Sequence, residues 1–189
     1  MITAKQIVDE IKEHIDNGTR QDPQMRSNYT SIFSENRNWT GLKAFRTELI
    51  ELAPSSVAKH VGEIAFDFSK YEEQLSQSFS EAKEVARKDE MIRAIYFEHD
   101  WGQATFFLCV SFEKPGKDWA GDFMGDFDAP TFDPDDIPFY SDCSAVERLI
   151  LGEYIHCVVC EYLIKVVKEY SDLPVAMGEH DGSIVYLQP

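Results

Sequence analysis

The chain has 189 residues and is strongly acidic, with 34 Asp and Glu against 18 Lys and Arg, a formal net charge of −16 and a pI near 4.6. Such a field repels nucleic acid and anionic membrane and draws cationic partners with faster association, although acidity can also serve solubility alone. Hydrophobic residues at 43% and aromatics at 13% exclude a disordered chain. A chain of this length buries roughly 70% of the surface its unfolded form exposes, so it needs neither disulfide nor metal to fold.

The length fits one α+β domain over 1–189, with a helical part over 1–88 and the remaining elements over 89–189. The opening segment MITAKQIVDEIKEHI carries a charge every few residues and has no apolar run of signal-peptide length. The expectation is a cytoplasmic protein whose four cysteines stay reduced. On that basis the N-x-T triplets at Asn17, Asn28 and Asn38 read as loop and cap sequence rather than glycan sites.

Thr3 to Asp16 is predicted as an amphipathic helix. Thr3 and Gln6 can close a capping box, and Ile7, Val8, Ile11 and Ile15 form one stripe. Gly18 to Asn38 is polar and reads as a long loop. Thr40 opens a second helix with Leu42, Phe45, Leu49 and Leu52 inward, and Pro54 ends it. Ser55 or Ser56 then caps a longer helical region. Its apolar positions are Val57, Val61, Ile64, Phe68, Tyr71, Leu75, Phe79, Ala82 and Ala86, spaced by three or four. It is one helix, or two broken near Asp67–Lys70.

The period then changes from helical to alternating. Met91–Glu98 and Ala104–Phe112 are rich in β-branched and aromatic residues and read as an antiparallel hairpin, with His99-Asp100-Trp101-Gly102 as its turn. Phe106, Leu108, Val110 and Phe112 share the core face of the second strand. From Glu113 to Asp142 follows the most unusual stretch, with nine acidic residues against Lys114 and Lys117, and six aromatics interleaved with prolines and glycines. The prolines and glycines argue against long regular structure. Three readings stay open: a structured crossover loop whose rings cover the core edge, an acidic aromatic binding surface, and a metal loop. The metal loop is the weakest, because Asp126-Phe127-Asp128 begins a calcium-loop pattern that Ala129 and Pro130 break.

Ser144–Tyr170 is the most apolar long segment. Ser144 and Glu147 have capping-box spacing, and Pro174 stops the pattern. Such a helix is about 40 Å long. Cys157-Val158-Val159-Cys160 has C-x-x-C spacing, but both thiols fall mid-helix on the apolar stripe, so they read as core packing. A second hairpin follows, Val175–Gly178 and Ser183–Leu187, turning at His180-Asp181-Gly182. The expected architecture is a helical N-terminal half and a four-stranded, mainly antiparallel sheet of two hairpins packed on the long buried helix.

Glu98-His99-Asp100 and Glu179-His180-Asp181 repeat one triplet at two predicted turns. If the hairpins were neighbours of the same sense, the triplets could bind a metal or run acid–base chemistry. Turn chemistry alone also explains Asp and Gly there. The sequence has no Walker loop, nucleophile elbow, H-E-x-x-H or dinucleotide fingerprint, and no cofactor is expected.

The run RAIYFEHDWGQATFFLCVSF, then DWAGDF and a Pro-rich acidic link into a long helix, resembles small acidic bacterial proteins of unassigned function. Some of these are immunity proteins encoded beside polymorphic or contact-dependent toxins. The resemblance covers roughly Arg93 to the C-terminus. It implies a non-enzymatic protein that binds a cognate toxin and blocks it. For a basic nuclease toxin an acidic inhibitor associates fast. The leading expectation is a protein-binding module whose contact surface uses Asp118, Trp119, Asp122, Phe123, Asp126, Asp128, Asp133, Asp135 and Asp136. The alternatives are a metal-dependent enzyme built on the two Glu-His-Asp triplets and a structural subunit of an assembly.

Overall fold

In a computed structural model that describes residues 3–16, 40–64, 66–100, 103–111, 122–132, 140–168, 172–179 and 185–188, several helices start at caps supplied by their own sequence. The α+β chain divides into two compact units, each made of two chain segments: Met1–Phe66 with Asp133–Glu161, and Asp67–Phe132 with Tyr162–Pro189.

In the first unit, helix α1 spans Ala4–Asp16. The Thr3 N–H donates to Gln6 Oε1 at 2.9 Å and the Gln6 N–H donates back to Thr3 Oγ1 at 3.2 Å. This reciprocal pair satisfies two donors that a helix start leaves open. Ile7, Val8 and Ile11 are buried as the stripe predicts. Helix α2 spans Thr40–Leu52 and buries Leu42, Phe45 and Leu49. Leu52, expected inward, is 38% exposed at the helix end.

Helix α3 spans Ser55–Gly62. Its N-cap is Pro54, with no side-chain cap bond, which corrects the expected serine cap. The Ser56 hydroxyl donates instead to the Glu147 carboxylate. Glu147 belongs to the capping box of the long helix α5, Ala145–Val167, whose residues 145–161 lie in this unit. The Ser144 N–H donates to Glu147 Oε2 at 2.6 Å, and the Glu147 N–H donates to Ser144 Oγ at 3.3 Å. One carboxylate thus caps its own helix and ties in α3.

From Ile150 to Cys160 every residue of α5 except Tyr154 is buried, including Glu153 at 1% and His156 at 6% exposure. Cys157 and Cys160 are buried thiols without a disulfide, as are Cys109 and Cys143. Arg46 of α2 donates from Nε to Glu161 Oε2 at 3.0 Å and from Nη1 to Tyr154 Oη at 3.4 Å, with its guanidinium over the Tyr154 ring. Among the described residues no helix is long and apolar enough to cross a membrane.

The second unit opens with helix α4, Phe68–Ala86. The long helical region is therefore two helices, and Asp67 caps the second by accepting from the Lys70 N–H at 3.0 Å. Tyr71, Leu75, Phe79, Ala82 and Ala86 are buried along one stripe. The strands are β1 (Ala94–Asp100), β2 (Gln103–Cys109), β3 (Phe123–Asp128), β4 (Val175–Glu179) and β5 (Val185–Gln188). Their order is β3-β2-β1-β4-β5.

The sheet is mixed, which corrects the expected four-stranded, mainly antiparallel one. β1 pairs β2 antiparallel but pairs β4 in parallel, Ile95 against Val175 and Phe97 against Met177. Parallel neighbours need a long crossover, and the connection from β1 to β4, which includes α5, is long enough to provide one. The fifth strand, β3, comes from the acidic stretch expected to be irregular. Its Gly and Asp residues are poor strand formers, and pairing with β2 overrides that weak preference.

Helix α4 packs on β1, β2 and β3. The Phe79 ring lies 5.5 Å from Phe106, which lies 4.8 Å from Phe97. Ile95, Phe97, Phe106 and Leu108 are fully buried on this face.

The two side chains that anchor these units make separate expectations. Phe106→Ala should cost about 3–5 kcal/mol, the range for emptying a large core site; urea unfolding at neutral pH measures it. At Glu147, the hydrogen bond from Ser56, then those from Ser144, hold the carboxyl down to about 2 from its ordinary 4.5. A depressed folded-state value stabilises above the unfolded value and is lost as pH falls toward the folded one. Glu147→Gln should therefore lower the urea midpoint at pH 7 and leave it nearly unchanged near pH 2; equal loss at both pH values would refute the carboxylate's role.

Candidate functional site

Strand β3 and the residue before it carry four of the nine residues expected at a contact surface. Asp122 precedes it, and Phe123, Asp126 and Asp128 lie within it. Asp118, Trp119, Asp133, Asp135 and Asp136 lie outside the described residues, as do Gly18–Asn38 and the turn residues His180-Asp181-Gly182.

The register explains how β3 presents its side chains. Phe127 pairs with Phe106, Gly125 with Leu108, Asp126 with Phe107 and Asp128 with Thr105. Directly opposed residues share a face, so Phe127 and Gly125 sit on the face that α4 covers, and Asp126 and Asp128 sit on the other. A bulge then shifts the pairing, so that Cys109 opposes Phe123 and Met124 is the extra residue. Without the bulge Phe123 would share the face of Gly125. With it, Phe123 joins Asp126 and Asp128.

That second face carries an aromatic row of graded burial. Tyr96 is buried, Phe107 is half-buried and Phe123 is 46% exposed. The Tyr96 and Phe107 rings stack at 6.3 Å, and Phe107 meets Phe123 at 4.7 Å. Beneath them Ala94, Tyr96, Cys109 and Ala176 form a small buried cluster. Phe123 is thus held by a neighbour instead of hanging free.

Asp122, Asp126 and Asp128 are all exposed. The strand start is tied to β2: the Asp122 carbonyl accepts from the Val110 N–H at 3.0 Å, and its carboxylate accepts from the Ser111 hydroxyl at 3.3 Å. Among the described residues no cation pairs with Asp126 or Asp128. The arrangement can therefore offer a partner an aromatic contact bordered by negative charge.

Two members of this surface were not among the expected contact residues. Phe107 lies between Phe106 and Leu108, and the odd positions Thr105, Phe107 and Cys109 are less polar than a solvent face requires, which was the available signal. Met124, 52% exposed, owes its position to the bulge, which leaves no local signature.

The Glu-His-Asp triplets come out differently from expectation. Glu98, His99 and Asp100 belong to β1, which continues to Asp100, and only Trp101 and Gly102 separate it from β2. His99 is buried and stacks on Phe97 at 5.8 Å. The parallel register sets Glu98 beside Gly178 and His99 beside Glu179, so the two triplets begin on adjacent strands. Among the described residues no group of three His, Cys, Asp or Glu is placed to hold a metal ion.

Comparison with protein-family models, with curated proteins and with solved structures finds no match.

Proposed function

We propose that this chain is a non-enzymatic binding protein that captures a basic protein partner through the acidic, aromatic surface of β3. The observation that carries the reading is Phe123, exposed yet braced on Phe107, beside exposed Asp122, Asp126 and Asp128. An aromatic anchor ringed by charge is how protein interfaces obtain affinity and orientation. The net charge of −16 favours a cationic partner and disfavours nucleic acid. The resemblance to immunity proteins suggests the class of that partner, a basic toxin domain held in check in the cytoplasm. Asp118, Trp119, Asp133, Asp135 and Asp136 belong to the same acidic stretch and extend the proposed surface by sequence.

Reversing Asp122, Asp126 and Asp128 to Lys together should weaken capture of the partner and flatten its salt dependence, with circular dichroism and thermal unfolding unchanged. Binding of the partner at parental strength and salt slope would sink the proposal.

A metal-dependent enzyme is the second reading, favoured by the parallel register that starts the two triplets side by side. Elemental analysis of protein purified without chelator separates the two. The binding-protein reading expects no stoichiometric metal; one bound transition metal ion per chain, lost on His99→Ala, would favour the enzyme.

A further inference from the structure

Among the described residues β3 is an edge strand, with β2 as its one neighbour in the sheet. The Ala129 N–H donates to the Ala104 carbonyl at 2.9 Å, so these two residues form a hydrogen-bonded pair. In an antiparallel ladder such pairs alternate with non-bonded ones. Stepping along the register, Phe127 and Gly125 direct their backbone groups to Phe106 and Leu108. Asp126 and Asp128 direct theirs the other way, off the edge of the sheet, where among the described residues no strand pairs with them.

Natural edges are blunted against self-association by bulges and charge, and β3 has both. The charge acts selectively. A second copy pairing antiparallel here would set Asp126 against Asp128 on one face, and like charges directly opposed are destabilising. A strand bearing Lys or Arg at those positions would meet the same two carboxylates as an attraction. Its intervening residues would fall on the other face, beside Gly125 and the half-buried Phe127, where apolar side chains fit.

We infer that β3 takes its partner by strand addition: an extended segment with basic residues at alternate positions and apolar residues between them becomes a sixth strand of the sheet. The backbone groups of Asp126 and Asp128 supply the main-chain hydrogen bonds, and their carboxylates select the basic positions. Strand addition is an established route to peptide recognition, in which the main chain gives affinity and alternate side chains give specificity. The inference rests on the acidic-surface reading above and specifies its geometry.

The test uses the full chain and a fluorescein-labelled peptide, Gly-Lys-Val-Lys-Val-Lys-Val-Gly, followed by anisotropy at low salt. Two variants carry N-methyl groups, one on every Lys and the other on every Val. A strand added to β3 turns only one of these two sets of N–H groups toward the edge. One methylated peptide should therefore lose about tenfold in affinity, the equivalent of one or two main-chain hydrogen bonds, while the other stays near the parent. The double variant Asp126→Lys, Asp128→Lys should weaken the parent peptide by a similar factor. If both methylated peptides bind like the parent, strand addition is wrong and the acidic surface acts through side chains alone. Equal weakening of both, or no binding of the parent, also overturns strand addition. The triple charge reversal judges the acidic-surface reading separately.

Discussion

The second unit depends on the tilted packing of three aromatic rings, Phe79 of α4, Phe106 of β2 and Phe97 of β1, at 5.5 and 4.8 Å. Those contacts set which face of β2 is inward. Because side chains alternate strictly along a strand, they also decide that Thr105, Phe107 and Cys109 point the other way. The position of Phe123 follows from that choice, since Phe107 is its support. A surface feature with a proposed role in recognition is thus placed by a core contact on the opposite side of the same strand.

In the first unit polar contacts tie the helices to one another. Glu147 receives hydrogen bonds from Ser144 and Ser56, so the start of α5 and the first turn of α3 share one carboxylate. Arg46 similarly joins α2 to α5 through Glu161 and the face of Tyr154. The Ser56–Glu147 and Arg46–Glu161 contacts each link segments distant in sequence.

What was legible in the sequence was local. The capping boxes at Thr3 and Ser144, the stripe of α1 and α4, the β1–β2 hairpin and the burial of Cys157 and Cys160 all follow from residues within a few positions of one another. What escaped was set by distant partners. Ser56 had the chemistry of a cap, but its hydroxyl is taken by Glu147 from another segment. β3 has Gly125 and two aspartates where strands prefer β-branched residues, and its pairing with β2 outweighs that preference. The parallel β1–β4 pairing could not be read from two hairpins each of which is locally antiparallel. Of the candidate surface, the acidic and aromatic character was legible, whereas the edge position and the bulge that turns Phe123 toward Asp126 were not.

Each unit draws on two stretches of chain, and this has a consequence for synthesis on the ribosome. The β1–β2–β3 meander can form as soon as its residues emerge, because its contacts are local. β4, the other neighbour of β1, emerges only after the whole of α5 has been made. During that interval the edge carrying Ile95 and Phe97 is apolar and unpaired, the kind of edge that recruits other nascent chains. Among the described residues the finished sheet has the charged strand β3 at its edge, but the growing chain passes through a stage in which the apolar run Ala94–Phe97 of β1 lies at an edge. Slow translation through α5 or scarcity of chaperones would be felt most at that stage.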